Sequence, residues 1–129
     1  MSVGPAPAAD PARSVDLFLG GLVTLVQPRK GHRAGLDAAL LEALIPAGAT
    51  GCAVDIGAGA GSVAFSAAAR ASALSAIGVE REPELIACAR AALQRPENSG
   101  FASRVRLLEA DVTARREARE AAGLADGLA

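Results

Sequence analysis

The run Ala53-Val54-Asp55-Ile56-Gly57-Ala58-Gly59-Ala60-Gly61 constrains this chain more than any other stretch. A short apolar segment breaks into three glycines spaced two apart, then enters an alanine-rich helical segment from Ser62 to about Ala73. Strand, tight turn and helix N-terminus in that order form the opening unit of a nucleotide-binding α/β fold. One glycine can take positive φ, a second lets backbone amides approach a ligand, and a third lets helix and strand pack closely. Such a unit needs an acidic residue at the end of the next strand, roughly 20 residues on, to take ribose hydroxyls. Glu80, which closes Ser75-Ala76-Ile77-Gly78-Val79-Glu80, stands at about that distance.

The remainder continues the alternation. Residues 1–14 are punctuated by proline and lack periodicity, which predicts a flexible tail ahead of a domain spanning 15–129. Val15 to Leu19 begins the structure, and Leu22 to Gln27 is β-prone and halts at Pro28, as a short strand or hairpin arm would. Pro28 to Gly35 is a basic loop holding Arg29, Lys30, His32 and Arg33. It is either a solvated connection or a loop folding over a ligand's carboxylate or phosphate. His32, with no carboxylate or thiol partner nearby in sequence, is expected to be structural or exposed. Leu36 to Ile45 has helical spacing, with Leu40, Leu41, Leu44 and Ile45 on one face and Asp37 in the first turn; Pro46 and Gly48 end it.

Arg81-Glu82-Pro83-Glu84 carries a strong helix start, and Leu85, Ile86, Ala89 and Leu93 give that helix an apolar face toward a sheet. Residues 96–100 form a loop. A third strand runs from Arg104 to Ala110, with Asp111-Val112 at its carboxyl end. Thr113 can cap a last helix, Ala114 to Ala122, in which Arg116 and Glu120 make an i,i+4 pair. Strands alternating with helices give a mostly parallel sheet with flanking helices. The ends at Gly57 to Gly61, Glu80 and Asp111 then share one carboxyl edge, where ligands bind in such sheets.

Composition narrows the class. A chain of 129 residues supports one core, and 51% hydrophobic content with only three aromatic residues, all Phe, implies a core of Leu, Val, Ile and Ala. The formal net charge of −1 provides no whole-molecule attraction to nucleic acid or membrane. Cys52 and Cys88 lack metal-ligand spacing and are expected as free thiols in a reducing cytoplasm. The N-terminus has no signal-peptide pattern and no stretch reaches the roughly 18 apolar residues of a membrane span, so a cytoplasmic location is expected.

Val54-Asp55-Ile56-Gly57-Ala58-Gly59-Ala60-Gly61, Gly78-Val79-Glu80-Arg81 and Glu109-Ala110-Asp111-Val112 resemble motifs I, II and III of class I S-adenosylmethionine-dependent methyltransferases. Upstream, Gln27 to Leu41 is similar to the segment preceding motif I in the "small domain" methyltransferases, among them bacterial tRNA adenine-N6 methyltransferases. The resemblance covers about residues 17–112. It implies a Rossmann-like fold binding S-adenosyl-L-methionine through Asp55, Gly57, Ala58, Gly59, Gly61, Glu80, Arg81, Asp111 and Val112. Gly57, Gly59 and Gly61 would cradle the methionine part, and Asp55 would order that loop or take the amino group. Glu80 would accept both ribose hydroxyls, Asp111 the adenine amino group, and the Val112 amide would meet a ring nitrogen. Arg29, Lys30 and Arg33 are candidates for phosphate or cofactor-carboxylate contacts.

Two departures accompany the resemblance. Leu36 stands where relatives often carry a small hydroxyl residue. The Asn-Pro-Pro-aromatic motif that holds the target amine in adenine-N6 members is absent, since Asn98 is the sole asparagine and Ser99 follows it. The expectation is therefore the N-terminal, cofactor-binding half of a methyltransferase domain with no catalytic base of its own, acting through positioning. A sheet cut before its fourth strand would leave an apolar edge, so the chain is expected to be marginally stable, to self-associate or to pair with a partner. Two alternatives are a nicotinamide-dinucleotide oxidoreductase, which shares the glycine turn and ribose acid, and a non-catalytic cofactor-binding fragment.

Overall fold

The computed structural model describes residues 9–31 and 33–124. Most of the expected tail, His32 and the last five residues lie outside the described residues. The first strand, β1 (Arg13–Phe18), starts inside the segment expected as tail and pairs antiparallel with β2 (Val23–Pro28), placing Val15 opposite Val26 and Leu17 opposite Thr24. β2 is buried from Val23 to Gln27, whereas Val15 and Leu17 on β1 face outward.

A second sheet is parallel, in the order β3 (Gly51–Ile56), β4 (Leu74–Glu80), β5 (Val105–Glu109). β4 lies between its neighbours and is buried from Ala76 to Glu80, as expected of a continuously apolar central strand. Helices connect the strands: α1 (Leu36–Ala43) precedes β3, α2 (Ser62–Arg70) follows it, and α3 (Pro83–Leu93) joins β4 to β5. A short α4 (Arg116–Ala121) follows β5. The α/β architecture with a parallel sheet and flanking helices is the one expected from the alternation of the sequence.

The main core lies where β2, α2 and α3 meet. Val23, Leu25, Phe65, Cys88, Ala89 and Phe101 are buried there, and Ala64, Ala68 and Ala92 keep the elements close. The Phe65 and Phe101 rings are 5.8 Å apart and tilted by 35°, a geometry worth about 0.5–1.5 kcal/mol beyond burial alone. On the opposite face of the sheet, Ile77, Val79 and Ala110 are covered by half-buried Leu108, Ala122 and Leu124. α3 buries Ile86, Cys88, Ala89 and Ala92, so its inward face is rotated from the expected one and leaves Leu85 and Leu93 half-buried.

Residues 96–104, expected in part as a simple loop, form two 3-10 turns, Pro96–Asn98 and Ala102–Arg104. Asn98 is fully buried and makes three hydrogen bonds. Its Oδ1 accepts from the Thr24 amide at 3.0 Å, and its Nδ2 donates to the Thr24 and Ala92 carbonyls, each at 2.8 Å. A side-chain amide thus satisfies both backbone groups of one β2 residue, fastening the hairpin to the end of α3.

The leucine face of the first helix departs from expectation. Leu36 is 72% exposed and Leu44 78%, Leu40 and Leu41 are also exposed, while Glu42 is buried. Helix α1 packs beside α2, and among the described residues no element covers its leucines. Ile45 lies beyond the helix, half-buried against Ala67, Ala71 and Leu74. Thr113 does not cap the last helix, whose N-cap Arg115 makes no side-chain cap bond. The expected Arg116–Glu120 pair is present at 2.7 Å. Both cysteines are free, Cys88 buried and Cys52 half-buried. No helix of the described residues is long and apolar enough to cross a membrane.

Candidate cofactor site

Residues 57–61 leave β3 and fold over the end of β4. The Gly57 and Ala58 amides both donate to the Val79 carbonyl, at 2.8 and 3.0 Å. That reversal requires left-handed backbone, and Gly57, Gly59 and Gly61 have φ of 77°, 59° and 97°. A Cβ at Gly57 or Gly59 would meet nothing within 4 Å, so these glycines leave open space above the loop. Gly61 differs: it is the N-cap of α2, and a Cβ there would lie 2.5 Å from the Phe65 ring. Its bareness makes room for the buried ring of Phe65, one turn on in the same helix.

Glu80, at the end of β4, is buried, and its carboxylate is fixed between two turns. Oε1 accepts the Gly59 amide at 3.2 Å and Oε2 the Glu82 amide at 3.1 Å. Each oxygen keeps acceptor capacity for a further donor. Next along the edge, the Ala110 amide donates to the Glu80 carbonyl at 3.0 Å. Asp111 follows, its Oδ1 accepting both the amide (2.8 Å) and the hydroxyl (2.6 Å) of Thr113. The Thr113 hydroxyl, followed by its amide and the positive charge of Arg81, holds the Asp111 carboxyl below the ordinary carboxylate value. Thr113 therefore orients this aspartate where the sequence suggested a helix cap.

Two clefts open along this edge. The smaller, about 220 Å³, is lined by Ile56, Gly57, Glu80, Arg81, Asp111 and Val112, together with Val79, Ala110 and Thr113. The larger, about 370 Å³, lies between the glycine loop and the start of α1, with Gln27 at its base. Asp55, Gly57, Ala58 and Gly59 form one wall of it, and residues 33–38 with Leu41 the other. Ile56 and Gly57 line both clefts, so the two meet at the turn. Ser62 and Val63 also line the larger cleft, and their first-turn amides have no intrahelical acceptor. Burial raises the Asp55 carboxyl above its ordinary value; the Ala64 amide opposes this and the charge of Glu80 reinforces it.

Eight of the nine residues assigned to the cofactor from sequence thus face one or other cleft. Gly61 faces neither. Of the three candidate cations, Arg33 alone reaches a cleft wall, and it is paired with Asp16 at 2.9 Å. Arg29 donates through Nε to the Pro11 carbonyl, and Arg29 and Lys30 are exposed. Sequence reasoning missed Gln27, whose only local sign was a polar side chain closing an apolar strand.

A parallel sheet ending in a glycine turn, with acidic groups at the next two strand ends, is a Rossmann-like fold of the class I methyltransferase type. Comparison with one solved structure agrees. The chain is similar to the crystal structure of a predicted O-methyltransferase from Agrobacterium tumefaciens, with 40% identity, a TM-score of 0.60 and 67% of this chain covered. It is also similar to precorrin 8W decarboxylase from Methanobacterium thermoautotrophicum, with 30% identity over 64% of this chain and a TM-score of 0.49. The chain spans 41% of the length of each. No protein-family model matches the chain, and no curated protein matches it.

Proposed function

We propose that this chain is the cofactor-binding part of an S-adenosylmethionine-dependent methyltransferase. The observation that carries the reading is the pair of clefts meeting at Ile56 and Gly57, one bordered by Glu80 and Asp111 and the other by Asp55 and the first turn of α2. The smaller cleft suits an adenosine: the Glu80 carboxylate can accept ribose hydroxyls and Asp111 an exocyclic amine, while apolar Ile56 and Val112 flank the ring. The larger suits a charged amino-acid arm, with Asp55 for its ammonium group and the helix N-terminus for its carboxylate. When bound, S-adenosylmethionine supplies an electrophilic methyl group. The residues of this chain hold and orient it, which is where effective molarity arises.

The acceptor we propose is an adenine amine in tRNA or another nucleic acid, on the resemblance of Gln27 to Leu41 to the small-domain methyltransferases. An oxygen acceptor is the second reading, favoured by the description of the Agrobacterium protein. Titration calorimetry with S-adenosylhomocysteine, NAD and a Glu80→Ala variant tests the cofactor. Binding of S-adenosylhomocysteine alone, weakened at least tenfold in Glu80→Ala by loss of charge-assisted hydrogen bonds, is expected. Preference for NAD, or no binding by a folded chain, would overturn the reading.

A further inference from the structure

The wall of the larger cleft formed by α1 has little apolar burial to hold it, since Leu36, Leu40, Leu41 and Leu44 are exposed. Its start is also uncapped: Gly35 is the N-cap and makes no side-chain bond to the helix. Apart from half-buried Ala34 and Ile45, what fixes this wall is polar, at both ends. At the C-terminal end, buried Glu42 pairs with Arg70 of α2 at 2.8 Å, and Arg70 also donates to the Glu42 carbonyl at 3.1 Å. At the N-terminal end, the buried Gln27 side chain accepts the Ala34 amide on Oε1 at 2.8 Å and donates through Nε2 to Asp16 at 3.0 Å. Asp16 Oδ2 also accepts from Ser14 Oγ at 2.6 Å and Arg33 Nη2 at 2.9 Å. Arg33 Nη1 in turn donates to the Pro28 carbonyl at 2.8 Å and to Ser14 Oγ at 3.0 Å.

We propose that Gln27, held by Asp16, which Arg33 in turn anchors, is a positioning residue for the amino-acid end of the cofactor site. It sets the separation between residues 33–38 and the glycine loop, and with it the width of the larger cleft. The hairpin β1–β2 is therefore part of the binding site's frame, although Asp16 lines neither cleft. The smaller cleft, built on β4 and β5, shares none of these contacts. The inference rests on the reading of the larger cleft as the site of the cofactor's amino-acid arm.

The test compares two ligands differing in that arm. S-adenosylhomocysteine carries it, and 5′-methylthioadenosine keeps the adenosine but lacks the amino and carboxylate groups. Titration of the whole chain with each is expected to show that Gln27→Ala weakens S-adenosylhomocysteine about tenfold while leaving 5′-methylthioadenosine within about twofold, the scale of one lost positioning hydrogen bond. Asp16→Asn, a partly exposed change outside the clefts, is expected to act in the same direction by a smaller factor; it carries the test should Gln27→Ala fail to fold. Equal weakening of both ligands would reduce the network to fold maintenance and overturn the proposal, as would no change in either. Failure of the unaltered, cooperatively melting chain to bind either ligand would instead remove the cofactor reading on which the proposal stands.

Discussion

Gly61→Ala and Gly59→Ala separate the two uses of glycine in the turn. At Gly61 the new Cβ would lie 2.5, 2.6 and 2.8 Å from three carbons of the Phe65 ring. That ring is fully buried and pairs with Phe101, so it has no free direction in which to move. Forcing a methyl into a packed core costs about 1–3 kcal/mol, and an L-residue with left-handed backbone adds about 1–2 kcal/mol. At Gly59, with φ of 59° and nothing within 4 Å of the Cβ position, only the backbone cost applies. Against a total stability of roughly 5–15 kcal/mol, Gly61→Ala is expected to lower the melting midpoint by about 7–18 °C and Gly59→Ala by about 4–7 °C. The order reverses for ligand: the Gly59 methyl projects into the larger cleft and should weaken S-adenosylhomocysteine more than the Gly61 change does. Circular-dichroism melts with parallel titrations read both. Midpoints for the two variants within about 2 °C of each other would refute the assignment of Gly61 to packing.

Asn98→Asp keeps the acceptor for the Thr24 amide but removes the donor to two buried carbonyls, at a cost of about 2–4 kcal/mol. Hydrogen exchange should then show β1 and β2 losing protection while β4 keeps it; uniform loss would argue against a local clamp. The raised Asp55 value has a defined sign. The native carboxyl binds its proton more tightly than the unfolded one, so its contribution to stability is fully present below the ordinary value of 3.8 and is lost as pH rises through the raised native value. Asp55→Asn should therefore raise the midpoint of the unliganded chain at pH 7, and an unchanged or lower midpoint there would contradict this. Arg70→Ala strands a buried carboxylate and should cost about 2–4 kcal/mol, reduced from the full buried-pair value because Arg70 is partly exposed; denaturant titration measures it. The exposed leucines of α1 and its C-cap, together with a β3 edge that has no strand partner among the described residues, should make the chain associate with itself, and Leu40→Glu with Leu44→Glu should shift it toward monomer in sedimentation velocity. A monodisperse wild-type monomer at high concentration would count against that.

The features that were legible in the sequence are those set by neighbours a few residues apart. Three glycines at alternate positions can take left-handed backbone, Pro83 starts a helix, and alternating apolar periods fix strands and helices, so the order of elements and the shared carboxyl edge follow from local chemistry. Glu80 and Asp111 were legible because the last residue of a strand and those just leaving it stand at that edge whatever the rest of the chain does. Tertiary structure decided which polar groups go inside. Asn98 is buried because Thr24, 74 positions away, presents a donor and an acceptor to it, and Glu42 because Arg70, 28 positions away, supplies a charge. A helical period counted on leucines places the apolar face of α1 inward, but burial needs a surface to be buried against, and the described residues offer none on that side. Gln27 follows the same rule: its place at the base of the larger cleft depends on Asp16 across the hairpin and Ala34 beyond the loop, partners that chain folding alone brings within hydrogen-bond reach.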